Sequence, residues 1–412
     1  MAALYNDKEE EIMGTTRCIA MILAERQGAS LGALTRFYSK PAIPFGGSYR
    51  IIDFALNNCS NVGIDTIGIL IQHSAPDLQE HINAAYYGNH YMLLPENPKC
   101  AYNGMADAVS RNIAFINRFE PINVLVMSGD PISVTDYSEM IAFHEDTNAD
   151  VTIASKPESM DTDSRFGILH AAEDGRVSAF GTNAPGTDDN LVSMGIYIFK
   201  WSALKEYLLA DSKYKQMQYE FDKDIIPKML SCHEAVYTYR LDGYWREIES
   251  VEALWKASMD QIDEPGYQIV NNQNIHHLSE SPRIISSKED IRQSIVSWQC
   301  TISGRVDHSV LGSWVKIGKG AEVMNSVIMP NAYIGNNVKI YNTVIGTGAI
   351  IMDDTVIGAE DGIDYFVDRQ VCARDVSLVA PWLYITKDKR FRKNSHIYEE
   401  QLDHYANIKD AM

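Results

Sequence analysis

A 17-residue echo in the last third of this chain restricts its fold more than any other feature. Residues 298–314 (WQCTISGRVDHSVLGSW), 315–331 (VKIGKGAEVMNSVIMPN) and 332–348 (AYIGNNVKIYNTVIGTG) align position by position, and a partial copy, AIIMDDTVIG, follows. Within them Ile317, Val323, Ile328, Ile334, Ile340, Ile345, Ile351 and Ile357 recur every five or six residues, with Gly, Asn and Asp at the corners. One apolar residue in six cannot be buried by a single short side of a coil; only stacking of successive coils encloses it. The pattern predicts a left-handed parallel β-helix over 298–362. Three matching copies are hard to produce by chance in a sandwich.

Ahead of the repeat the pattern changes. From residue 16 to about 262, short apolar runs (CIAMILA, TIGILIQ, NVLVMSGD, VTIAS, SMGIYIF) alternate with amphipathic segments (DFALNNCSNVG, GMADAVSRNIAFIN, YSEMIAFHEDTNA). The runs read as strands buried on both faces, the segments as helices, with Asp53 and Asp136 as N-caps. Such alternation predicts an α/β domain with a mostly parallel, Rossmann-like sheet. Ligands then bind beyond the carboxyl ends of the strands, where residues 25–30 and Ser128-Gly129-Asp130 fall. Residues 1–15 read as an N-terminal extension and 263–297, with Pro265 and Pro282, as a linker. Residues 363–412 read as a charged tail, helical or frayed.

Charge and cysteine content exclude some functions. A net charge of −19 argues against nucleic acid or an anionic membrane as partner. The six cysteines include no C-x-x-C pair, which fits reduced thiols better than disulfides or zinc. The opening MAALYNDKEEE is acidic and polar, unlike a signal peptide, and no apolar run approaches the roughly 20 residues that span a bilayer. A cytoplasmic protein is expected.

The ordered series KPAIPFGGSYRIIDFALNNCSNVGI, GMADAVSRNI, VMSGD, RFGIL, SMGIYIF, FDKDIIPKM and YWREIESVEALWKASMDQ, followed by the coil repeat, resembles the glucose-1-phosphate adenylyltransferase (ADP-glucose pyrophosphorylase) family. The resemblance runs from residue 16 to about 360. It implies a nucleotidyltransferase that joins ATP to glucose 1-phosphate with Mg²⁺, releasing pyrophosphate and ADP-glucose for glycogen or starch synthesis, and a tetramer under allosteric control.

Carried onto this sequence, the resemblance gives Lys40 and Asp130 as catalytic residues. Gly28, Gln72 and Gly104 fall on the nucleotide side. Tyr102, Gly167, Asn183 and Ser193 fall on the sugar-phosphate side, and Asp130 and Glu247 are the metal carboxylates. Several positions depart from the family. The first loop reads Leu23-Ala24-Glu25-Arg26-Gln27-Gly28-Ala29-Ser30-Leu31, where the family has glycines at 25 and 26 and arginine at 30. Glycines let backbone N–H groups approach phosphate, and the arginine balances charge on the departing pyrophosphate. Asn183 stands at the position of a phosphate-holding lysine, Pro131 at a histidine, Glu247 at an aspartate and Glu249 at a glycine. Phe37 replaces a basic residue tied to activator binding. The lost arginine, the lost lysine, the altered carboxylate and the two added acids all push the same way, while Arg26 is an added cation able to swing in as a substitute. The expectation is a catalytically impaired regulatory subunit assembled with a catalytic paralogue. The alternatives are an active nucleotidyltransferase using compensating residues, or a β-helix acyltransferase with His308 as general base.

Overall fold

The computed structural model describes residues 17–24, 29–71, 75–86, 90–95, 102–157, 167–181, 191–211, 220–264, 283–288, 290–360 and 376–398. The apolar runs form strands at Cys18–Ala24, Thr66–Ile71, Asn123–Ser128, Val151–Pro157 and Leu191–Lys200. Cys18–Ala24 lies at the centre of a mostly parallel sheet, paired in parallel with Asn123–Ser128 on one side and Thr66–Ile71 on the other. Leu191–Lys200 runs antiparallel to Asn123–Ser128 and to Val151–Pro157, which restores the original direction to the latter. Two apolar clusters cover the two faces. One gathers Ile19, Met21, Val124 and Val126 with Val109, Leu204 and Ile226. The other gathers Ala20, Ile22 and Leu125 with Leu56, Leu78 and Met140. Continuous apolar runs, rather than alternating ones, are what a sheet buried on both faces requires.

The helices follow with local differences. Ile51–Asn61 starts one turn earlier than the cap reading placed it. Asp53 is the third helical residue and accepts the Arg50 N–H at 2.7 Å. Asp136 does accept the Ser138 N–H, at 2.8 Å, ahead of Ser138–Asp146. The GMADAVSRNIAFIN segment splits at Asn112 into Met105–Arg111 and Ile113–Asn117. The Asn112 side chain donates back to the Ala108 carbonyl at 2.8 Å, the competition with helical bonding to which Asn is prone.

The repeat forms a triangular parallel β-helix with three ladders. Val306, Val323, Ile340, Ile357 and Phe391 point inward from the first, and Leu311, Ile328, Ile345, Val379 and Ile397 from the second. The third contributes Ile317, Ile334, Ile351 and Ile385. Corners at His308, Asn325 and Asn342, and at Trp314, Asn331, Gly348 and Trp382, have positive φ, which explains the Asn, Asp and Gly bias. A column of buried hydroxyls runs along one side. The amides of Ser309, Ser326 and Thr343 each donate at 3.1 Å to the hydroxyl one coil earlier, at Ser294, Ser309 and Ser326.

The stack is longer than 298–362. Ile291–Val296, within the expected linker, pairs in parallel with Val310–Leu311. Ser377–Val379, Tyr384–Ile385, Arg390–Arg392 and His396–Ile397, within the expected tail, continue the ladders. Thr343 pairs with Ser377, 34 positions on and twice the coil step, so a simple 17-residue register loses the last coils.

One outer face of the β-helix is not solvent-facing. Val310, Val327, Val344 and Leu378 pack with Leu34, Phe54, Leu254 and Ile295 into a core shared by both domains. Trp255 adds a hydrogen bond from Nε1 to the Asn325 carbonyl at 2.6 Å. Burial of this kind contributes about 25 cal/mol per Å² of apolar area. Among the described residues no helix is long and apolar enough to cross a membrane, and Cys18, Cys59, Cys232 and Cys300 are free thiols.

One buried base makes folding acid-sensitive. His144 is buried with Nδ1 2.8 Å from the Thr152 hydroxyl. Burial lowers its pKa to about 4, with Asp150 opposing and Lys200 assisting. The unfolded chain takes up this proton near 6.5, the folded one only near 4, so between those values unfolding binds protons. Stability should fall by up to roughly 3 kcal/mol as pH drops from 6.5 to 4. In urea denaturation across that range, His144→Gln should flatten the dependence by about one proton; an unchanged slope refutes the assignment.

Candidate functional site

Local chain rules deliver the first two site residues to one place. Gly129 follows the Asn123–Ser128 strand, and its N–H donates to the Leu23 carbonyl at 2.8 Å. A Cβ there would meet Ile22 at 3.1 Å and Leu23 O at 3.3 Å, so glycine keeps the two strand ends together. Asp130 is thereby held at the carboxyl edge. Lys40 opens the short turn Lys40–Ala42, anchored because Ser39 donates through N–H and Oγ to Asp77 at 2.8 and 3.0 Å. The Lys40 Nζ meets Asp130 Oδ2 at 2.9 Å, with side chains only 6% and 14% exposed. Such a pair is strengthened by its low-dielectric setting but is costly to break from one side.

Ser30, at the arginine position, also has a partner. Its hydroxyl donates to the Glu249 carbonyl across 219 positions. Glu249 precedes Ser250, which caps the Val251–Asp263 helix by accepting the Ala253 N–H at 3.1 Å. The loop therefore carries a neutral, engaged hydroxyl at that point. Glu247 lies two residues earlier, after Trp245 and Arg246, and Arg246 Nε is fixed by Asp260 and the Tyr244 hydroxyl, both at 3.0 Å.

On the sugar-phosphate side, Gly167 and Ser193 come together: the Ser193 N–H donates to the Gly167 carbonyl at 3.0 Å. Gly167 has φ +88°, and a Cβ there would press on Phe180 at 3.3 Å. Tyr102 is buried beside Met105 and Val109; its hydroxyl accepts from Asn112 Nδ2 at 3.3 Å, and the Arg111 guanidinium sits 5.4 Å from the ring centre. Gly104, at φ +137°, turns the chain into the Met105–Arg111 helix. Gly28, Gln72 and Asn183 lie outside the described residues.

For Mg²⁺ the donor set fits in part. Asp130 Oδ1 is buried with no hydrogen-bond partner among the described residues, the kind of oxygen a cation would take. Its other oxygen is engaged by Lys40. Among the described residues no three His, Cys, Asp or Glu converge as a metal cage. Asp130 and Glu247 are the residues that would hold the ion, whose contribution when bound is to neutralise phosphate oxygens.

His308 is accounted for structurally. Its Nδ1 faces Asn325 Oδ1 at 2.9 Å and its Nε2 faces Asp263 at 2.8 Å, so both nitrogens serve a strut between the β-helix and the Val251–Asp263 helix. That leaves no free ring nitrogen for a general base. One residue escaped the sequence reading: Lys156, at the carboxyl end of Val151–Pro157, with Nζ 4.3 Å from the centre of the Trp245 ring. A lysine ending a buried strand on the ligand edge was the available signal. A cavity of about 400 Å³ between the domains, lined by Arg50, His81 and Trp382 among others, was also not foreseen.

Comparison with known proteins matches both domains. The family model described as Nucleotidyl transferase matches residues 19–264, and GlmU-like, C-terminal hexapeptide matches 283–379. The chain is 38% identical over 365 residues to glucose-1-phosphate adenylyltransferases of Bacillus mycoides (strain KBAB4), Bacillus cereus (strain ATCC 10987 / NRS 248) and Bacillus anthracis. Each alignment covers 84% of this chain and 96% of the relative. The chain belongs to the glucose-1-phosphate adenylyltransferase family, a nucleotidyltransferase domain joined to a hexapeptide-repeat β-helix.

Proposed function

We propose that this chain is a regulatory-type member of its family, with weak or absent turnover of its own. It assembles with an intact catalytic paralogue in the cytoplasm and changes that partner's activity or effector response in ADP-glucose synthesis. The observation that carries this reading is Ser30, a neutral hydroxyl engaged with the Glu249 carbonyl where arginine would face the departing pyrophosphate. Adenylyl transfer rests on positioning and charge neutralisation, and loss of one stabilising contact costs on the order of 10²–10³ in rate. Asn183, at the lysine position, acts in the same direction by charge alone. Well-patterned strands and coils around a cation-poor site are what assembly requires. A tetramer, with bound ATP, glucose 1-phosphate and Mg²⁺ all held weakly, completes the reading.

The test is ADP-glucose formation by the purified chain alone and mixed with a catalytic paralogue. Near-background turnover alone, with an altered rate or effector response in the mixture, is expected. Robust turnover by the lone chain overturns the reading. A second reading, an active nucleotidyltransferase, is favoured by the retained Lys40–Asp130 contact. Under it Lys40→Ala and Asp130→Asn should each abolish measurable turnover.

A further inference from the structure

We propose that Lys156 is an anion-binding residue of this site, receiving a phosphomonoester dianion at the carboxyl edge of the sheet. The proposal rests on the reading above, in which ligand binding outlasts turnover. Val151–Pro157 is antiparallel to Leu191–Lys200, which is antiparallel to Asn123–Ser128, so Lys156 ends on the same edge as Asp130. It pairs with Val192, one rung from the Ser193–Ser155 pair, and so stands beside the sugar-phosphate residues.

The surroundings of the ammonium are unusual. It is half-buried and packs on the indole face of Trp245, two residues before Glu247. The Glu247 carboxylate acts on it electrostatically, but among the described residues it forms no ion pair. An indole face attracts a cation but accepts no full set of hydrogen bonds, and an ammonium has three N–H donors to place. Nearby Arg246 is occupied by Asp260 and Tyr244, and cannot turn toward a ligand without giving up both. Arg246 is held by Asp260, while Lys156 feels only the longer-range pull of Glu247, so an anion can complete the shell of its ammonium. Burial and then Arg246 push the Lys156 pKa down, with Glu247 opposing, which is the strain a bound dianion relieves.

The test is calorimetric titration of the full chain with glucose 1-phosphate and, separately, with inorganic phosphate. Wild type, Lys156→Met and Lys156→Arg are compared, with thermal unfolding to check that each is folded. A charge-assisted contact of this kind corresponds to roughly 10- to 100-fold in affinity. Lys156→Met should lose at least about 10-fold, while Lys156→Arg should stay within about 3-fold. Equal binding of the two ligands identifies the dianion itself as the recognised group, and tighter glucose 1-phosphate adds the sugar; either supports the proposal. Equal affinities of wild type and Lys156→Met overturn it, as does the absence of saturable binding by wild type. The lone-chain turnover assay is independent: absent binding with absent turnover sinks only this proposal, whereas robust turnover sinks the reading beneath it.

Discussion

Restoring arginine at position 30, with glycine at 25 and 26 and lysine at 183, should raise ADP-glucose formation by the isolated chain by on the order of 10²–10³. Arginine presents a fixed fork of donors that matches phosphate oxygens, and a serine hydroxyl offers one neutral donor. In this structure even that donor is directed at the Glu249 carbonyl. Ser30→Arg alone should give a smaller rise, because the acidic Glu25 would remain in the same loop sequence and such changes act as a unit. Ser30→Ala removes the Glu249 bond without adding charge and should leave turnover at its low level. The measurement is kcat/KM for ATP in the synthesis direction. If the quadruple variant stays at background, scarcity of cations is not what limits this site.

The second large effect is on stability. Lys40→Met should cost about 3–5 kcal/mol, because it leaves the Asp130 carboxylate buried without its counter-ion. Asp130 Oδ1 already lacks a hydrogen-bond partner among the described residues, so nothing near it takes up the loss. The double change Lys40→Met with Asp130→Leu should recover most of that stability, since two apolar groups can replace a buried pair at little net cost. Urea denaturation of the four chains in a double-mutant cycle reads the coupling directly. Additive effects of the two single changes would show that the 2.9 Å contact contributes nothing to folding.

How much of this was legible in sequence varies by element. Continuous apolar runs such as Cys18–Ala24 and Asn123–Ser128 identified the central strands, because burial on both faces leaves no room for polar alternation. The coil repeat was equally plain from 298 to 348. Its extension to His396–Ile397 was not, since the step from Thr343 to Ser377 is doubled and hides the period. The break at Asn112 escaped because helical periodicity continues across it, while the deciding bond runs from the Asn112 side chain to Ala108. Among site residues, Asp130 was placed by the strand-edge rule. Lys156, which obeys the same rule, drew no notice without its partner Trp245, 89 positions away.

By itself the sequence determined the two architectures, their order along the chain and which charge each position carries. These are local properties: spacing of apolar side chains sets periodicity, and the charge of a residue is fixed by its identity. Only the tertiary structure decided which groups meet. Lys40 reaches Asp130 over 90 positions, Ser30 reaches Glu249 over 219, and the Ala33 N–H donates to His396 Nε2 over 363. Those contacts arise where separately formed elements pack, as Val310, Val327 and Val344 do against Leu254 and Ala33 does in the cluster that holds Ile397. No periodicity encodes them, because each depends on the mutual fit of surfaces that lie far apart in the chain.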